Sequence, residues 1–187
     1  QKKTVKKSTS KDSKDSKNLK DTKERKPKNY CTVMDEIVKS DEYRALQRLI
    51  GESCLSSVLT KSDPKRRWTL VVTKDSNVKK NLPSNKEKAK EVLKFNIIKG
   101  FASKDMLKEK LKKAEEEKKD LHLYTMIYDN KIKVTQKGSD FYLEGSNKVK
   151  VLDSITSPNG ALLVVDDLLL PGKTTRSQRR SRSRSPK

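Results

Sequence analysis

The chain has 187 residues, is 38% charged and carries a formal net charge of +21, with only 5% aromatic residues. That length fits one domain with tails. No run of 18 apolar residues exists, so no helix of this sequence can span a membrane. The charge excess sits at the ends: net +8 over residues 1–30, net +7 over 172–187, and net +6 over the 141 residues between them. That middle segment is long enough to bury a core of normal size. The sequence begins at Gln1 without a leader pattern, and the expectation is a processed chain whose signal peptide is absent from it.

Residues 1–30 are rich in Lys, Ser, Asp and Thr and lack apolar periodicity, so they are expected to be a disordered tail. Val33, Met34, Ile37 and Val38 then recur at helical spacing, followed by Tyr43, Leu46, Leu49 and Ile50. Ser40 suits the N-cap of the second helix, with Asp41 and Glu42 in its first turn. Gly51 ends or interrupts that helix before Leu55, Val58 and Leu59, and SDPKRR reads as a loop.

WTLVVT, residues 68–73, is a buried-strand candidate. KEKAKEVL, residues 86–93, reads as a helix, and FNII continues its apolar run as far as Gly100. Residues 103–119 form an amphipathic helix capped by Ser103, with Met106, Leu107, Leu111 and Ala114 on its apolar face. The period then changes to two. LHLYTMIY (121–128) alternates, Asp129-Asn130 suits a turn, and KIKVTQ completes a hairpin. FYLEG, KVKVLDSI and ALLVV are three further strands. Helices first, one strand among them, then a run of antiparallel strands is an α+β pattern.

The stretch SPNGALLVVDDLLLPG, residues 157–172, is the most apolar part of this basic chain. Asn159 to Pro171 resembles the closing box of a fasciclin domain, which runs from Asn-Gly through an apolar strand and an Asp turn to Leu-Leu-Pro. Thr69 to Ser76 resembles the family's first box, a buried strand running into a Thr/Asn/Asp-rich turn. Leu93 to Gly100 resembles the central segment, and CTVMDEIVKSDEYRALQRLI resembles the two opening helices. The resemblance covers residues 31–171 and implies a wedge of two small β-sheets with flanking helices. Under it, ALLVV is a central strand covered on both faces, which explains an uninterrupted apolar run. Asp166-Asp167 makes the turn, and a polar group at Val164 would unfold the domain.

The resemblance has departures. Phe95 and Asn96 stand where the family usually has Tyr-His, and Leu163 stands where a His is common. The 103–119 helix is also longer and more charged than the usual segment. In animal members the Tyr-His region is associated with integrin contact, which makes Phe95, Asn96, Ile97 and Ile98 the candidate protein-contact segment.

Little in the chain suggests catalysis. The single histidine, His122, opens a strand and reads best as a partly exposed strand residue. No Gly-rich phosphate loop is present, and the chain is expected to be a non-enzyme with no cofactor, no metal and no small-molecule substrate. Cys31 and Cys54 are too few for a disulfide framework and wrongly spaced for zinc. In an oxidising compartment they could pair; the alternative is two buried thiols.

The C-terminal tail holds Lys173, Arg176, Arg179, Arg180, Arg182, Arg184 and Lys187 with no acid. Such a run attracts polyanions by releasing their counterions, so sulfated glycans and anionic surfaces are expected partners, beside an extracellular protein. The interleaved acids of the N-terminal tail read as a spacer. RRSRSRS, residues 179–185, also resembles the arginine-serine repeats of splicing proteins, and phosphates on Ser181, Ser183 and Ser185 would nearly cancel its charge. No RNA-binding module accompanies it. The leading expectation is a secreted or surface-associated adhesion module, and the alternative is a nuclear, RNA-associated protein acting through that tail.

Overall fold

The computed structural model describes residues 32–61 and 66–172. The tail expected over 1–30, the tail cations from Lys173 onward and Cys31 lie outside that range.

Thr32 opens α1 (Val33–Lys39) with a reciprocal cap. Its hydroxyl accepts from the Asp35 amide at 3.3 Å, and the Asp35 carboxylate accepts from the Thr32 amide at 2.7 Å. Ser40 caps a 3-10 turn, Asp41–Tyr43, that leads into α2 (Arg44–Glu52). This helix runs through Gly51, and the chain turns away where Cys54 takes a φ of 55°. α3 (Ser56–Thr60) follows, then β1 (Trp68–Val72).

Beyond β1 three local readings change. The turn expected to end the Thr69–Ser76 box gives way at Asp75 to a short helix, α4 (Asp75–Asn81), docked by the buried Val78. Its composition favours turns, and tertiary burial of one valine outweighs that preference. α5 (Lys86–Phe95), capped by Asn85, stops at Asn96, and Ile97–Lys99 then form a strand, β2, instead of prolonging the helix. α6 (Lys104–Glu116) starts at the expected Ser103 cap. β3 (Leu121–Tyr124) stops short of Tyr128, because Thr125 makes only a single bridge to Ile98 and Asp129 turns the chain with a φ of 61°. β4 (Lys131–Lys137), β5 (Asp140–Glu144), β6 (Lys148–Ser157) and β7 (Gly160–Val165) complete the chain.

The strands do not divide into two sheets. They form one seven-stranded sheet in the order β2-β1-β7-β6-β5-β4-β3. Nor is it antiparallel throughout: β7 returns to lie parallel to β1, with Leu70 opposite Leu162 and Val71 opposite Leu163. The end strands meet through the Ile98–Thr125 bridge and the Met126 amide, which donates to the Ile97 carbonyl at 2.7 Å. Joining the edges at this point covers part of the two edge strands that could otherwise pair with other chains.

The curled sheet has an inside and an outside. Val71, Ile98, Leu123, Ile132, Leu143, Val149 and Leu163, one from each strand, belong to a single inner cluster with Leu107 and Leu111 of α6. Leu70, Val72, Ile97 and Leu162 point the other way, into a second cluster with Ile37, Leu46, Ile50 and Leu59 of α1–α3. β1 and β7 therefore lie between two cores. That is why both are buried along almost their whole length where β4 and β5 alternate.

The Asn159-Gly160 turn admits β7 to this position. Asn159 is buried; its carboxamide oxygen accepts from the Val33 amide at 2.8 Å and its nitrogen donates to the Leu59 carbonyl at 2.6 Å. The start of α1 and the end of α3 are thus tied to the start of the last strand. Gly160 pairs with Trp68, and a Cβ there would run into the Trp68 carbonyl oxygen.

Val164 is only half-buried, so it is not the most sensitive position in β7; Leu162 and Leu163 are fully buried. Leu163→Ala should cost about 2–5 kcal/mol in chemical denaturation, and Val164→Ala clearly less. Equal costs would contradict burial between two cores. Gly160→Ala should lower the melting temperature more than Gly51→Ala, since an added Cβ at Gly51 meets nothing within 4 Å.

Candidate binding surfaces

The segment expected to touch a protein partner lies inside the molecule. Phe95, Asn96, Ile97 and Ile98 are 1%, 3%, 0% and 1% exposed. Phe95 and Ile98 belong to the inner cluster and Ile97 to the outer one. The packing of α5 and β2 against both cores leaves none of these side chains for a partner, so the contact role expected for them is corrected to a structural one.

Asn96 shows what that role is. Its Nδ2 donates to the Val92 carbonyl and to the Leu169 carbonyl, both at 2.8 Å, while its Oδ1 has no hydrogen-bond partner. One amide thus closes the end of α5 and anchors the Leu168-Leu169-Leu170 strap. Asn147 grips the same strap from the other side: its Nδ2 donates to the Leu168 carbonyl at 2.8 Å and its Oδ1 accepts from the Leu170 amide at 2.8 Å. Asn77 and Asn81 of α4 hold the preceding turn, through the Asp166 carbonyl and the Asp167 carboxylate, each at 2.6 Å. Asp166-Asp167 is therefore a clamped turn, as its sequence indicates. Buried carbonyls without donors would be costly, and the asparagine amides meet that need where no strand lies alongside.

An Asn96→Asp exchange should expose this dependence. A carboxylate there would face two carbonyl oxygens in a buried site, which raises its folded pKa. The variant should lose stability relative to the parent as pH rises from 4 to 7, the range in which such a group ionises. A stability gap independent of pH would argue against the assigned contacts.

The outside of the sheet is uneven. α1–α3 cover it over β1, β2, β7 and the Ile155 end of β6, while the outward residues of β3–β5 and the start of β6 are exposed or half-buried. Tyr124 is 56% exposed, with the Lys131 ammonium 5.0 Å from its ring centroid, and Lys148 lies 5.0 Å from the Tyr142 ring. Lys133 pairs with Asp120 at 2.9 Å, Lys150 with Asp140 at 2.7 Å and Lys148 with Glu144 at 2.6 Å. The Lys148 ammonium, and after it the Thr135 hydroxyl, hold the Glu144 carboxyl below its ordinary value. His122 is exposed on the same face, with Nδ1 3.2 Å from the Asp120 carbonyl oxygen. The sequence reading passed over this Tyr/Lys face, although its signal was present in the polar phase of the alternating strands.

The remaining expected site residues are peripheral or outside the described range. Cys54 is exposed, which removes it from the buried-thiol alternative; its possible partner Cys31 lies outside the described residues. The tail cations Lys173, Arg176, Arg179, Arg180, Arg182, Arg184 and Lys187 do as well. The described chain ends at Gly172, against Gly145 and Ser146 in the β5–β6 turn. Among the described residues no group of three or more His, Cys, Asp or Glu side chains could hold a metal, and no helix is long and apolar enough to cross a membrane.

Comparison with known proteins follows the same architecture. No curated protein matches the chain. A solved FAS1 domain pair from the insect cell adhesion molecule fasciclin I is similar in fold, with a TM-score of 0.59 and 19% sequence identity. The match covers 74% of this chain and 50% of that one, so the chain spans half the length of the domain pair. The family model for the fasciclin domain matches residues 42–171. With the Asn-Gly entry to β7, the clamped Leu-Leu-Leu-Pro strap and more than half its length matched, the chain belongs to the fasciclin domain family.

Proposed function

We propose that this protein is a non-enzymatic adhesion or binding module acting outside the cell or at its surface, with cationic ends that attract sulfated glycans or similar polyanions. Fasciclin domains are commonly adhesion or binding modules, and that class sets the first half of the reading. The observation that carries the second half is the C-terminal run of seven cations without an acid, which follows directly on Gly172. Gly172 itself lies against the β5–β6 turn, which joins two strands of the β3–β6 face. A polyanion drawn by the run would meet Lys148 and Lys131 with rings beside them, a surface that suits both sulfate groups and sugar faces.

The tail supplies long-range attraction and the folded domain supplies shape. Such attraction weakens steeply with salt, because binding releases counterions from the polyanion. Deleting residues 173–187 should lower the salt concentration that elutes the protein from heparin, with little change in melting temperature. Equal retention with and without the tail would overturn the tail's role. Antibody staining of intact cells, with assay of the culture medium, should find the protein outside. Signal confined to the nuclei of permeabilised cells would overturn the extracellular reading and favour the arginine-serine tail as the working part.

A further inference from the structure

A groove runs across the helical side of the domain, between α2, α4 and the start of α5. One part, about 570 Å³ in volume, lies over Leu49 and Leu82 and is lined by Lys79, Lys86 and Lys90. The adjoining part, about 400 Å³, shares Leu49, Leu82 and Lys79 and adds Arg48. The helices leave this space because α2 and α4 pack through Leu46, Ile50 and Val78 on their inner sides, while Leu49 and Leu82 stay half-buried.

The charges around the groove are unequally engaged. Asp75 uses an oxygen to accept from the Ala45 amide at 2.9 Å, and Arg44 is held by Asp41 at 2.7 Å. Arg48, Lys79, Lys86 and Lys90 make no ion pair among the described residues, and only Glu52 and Glu87 stand among them as exposed acids. The lining has no aromatic ring on which a sugar could stack. Its floor is aliphatic and its rim cationic. That combination suits apolar side chains flanked by carboxylates better than a sulfated glycan, which offers charge but nothing for the floor.

We propose that this groove docks an acidic segment of a partner protein, with leucine-sized side chains seated on Leu49 and Leu82 and carboxylates on Arg48, Lys79, Lys86 and Lys90. The inference deepens the binding-module reading and rests on it. The basic tails of the chain itself are poor occupants, since their charge matches that of the rim. The rim selects and orients the partner; the floor holds it once seated.

The test uses the isotope-labelled full chain and three probes: a short acetylated and amidated peptide of Glu, Asp and Leu, its counterpart with every Leu replaced by Ser, and a heparin oligosaccharide. The leucine peptide should shift the amide resonances of Leu49, Glu52, Lys79, Leu82 and Lys86. A Lys79→Glu, Lys86→Glu double variant should weaken that binding about tenfold or more, which corresponds to about 1.4 kcal/mol, with an unchanged melting temperature because both side chains are exposed. The serine peptide and heparin should leave the groove resonances in place. The proposal is overturned if the leucine peptide shifts residues elsewhere or none, if the double variant binds it equally well, or if the serine peptide shifts the groove as strongly. Loss of the heparin effect on tail deletion is read separately, so either proposal can fail while the other stands.

Discussion

The structure depends on one insertion: β7 enters last, parallel to β1 and antiparallel to β6, with apolar side chains projecting into a separate core on each side. Leu162 seats the outer helices and Leu163 fills the curled sheet. Neither core is complete without this strand, and both are held by burial of apolar surface, the dominant favourable contribution to folding. Its entry requires a glycine, because the Trp68 backbone comes too close for any side chain at residue 160. Its exit requires a turn whose carbonyls find donors off the sheet.

Asparagine side chains supply those donors. Asn159 fastens the entry of β7 to α1 and α3, and Asn77, Asn81, Asn96 and Asn147 fasten its exit and the strap beyond. An amide carries donor and acceptor on one short stem, so it can bridge two backbone segments that run in unrelated directions. This explains how Asn96 serves here where other fasciclin domains usually carry a histidine. What the position has to provide in this chain is a donor to two carbonyls, not a surface contact. Hydrogen bonds of this kind add modest net stability each, but a buried carbonyl left without one is costly. The amides therefore act mainly by fixing where the strap lies.

Once the cores and clamps are in place, what remains outside is chemically distinct on each side. The β3–β6 face offers tyrosines and lysines whose charges are largely matched by acids. The α2–α4–α5 side offers a concave aliphatic floor with unmatched cations. The described chain ends against the β5–β6 turn. A domain of this kind can present two surfaces of different chemistry at once, and most of the chain's excess charge lies outside the described residues.

The sequence by itself determined most of the helices, through the Ser40 and Ser103 caps and their apolar spacing, and the hairpin strands, through alternation and the Asp129 turn. It also determined the family, because the Asn-Gly entry and the Leu-Leu-Leu-Pro strap are contiguous and leave a local pattern. Burial of ALLVV on both faces was legible for the same reason, since only a strand between two cores can be apolar at every position. Tertiary structure alone decided the rest. The parallel return of β7, the meeting of β2 with β3 and the burial of Phe95 to Ile98 all join residues far apart in the chain, and no local signal encodes them. The groove over Leu49 and Leu82 was hidden for the same physical reason: its floor and rim come from three helices, of which α2 and α5 read alone as ordinary charged amphipathic segments and the start of α4 read as a polar turn.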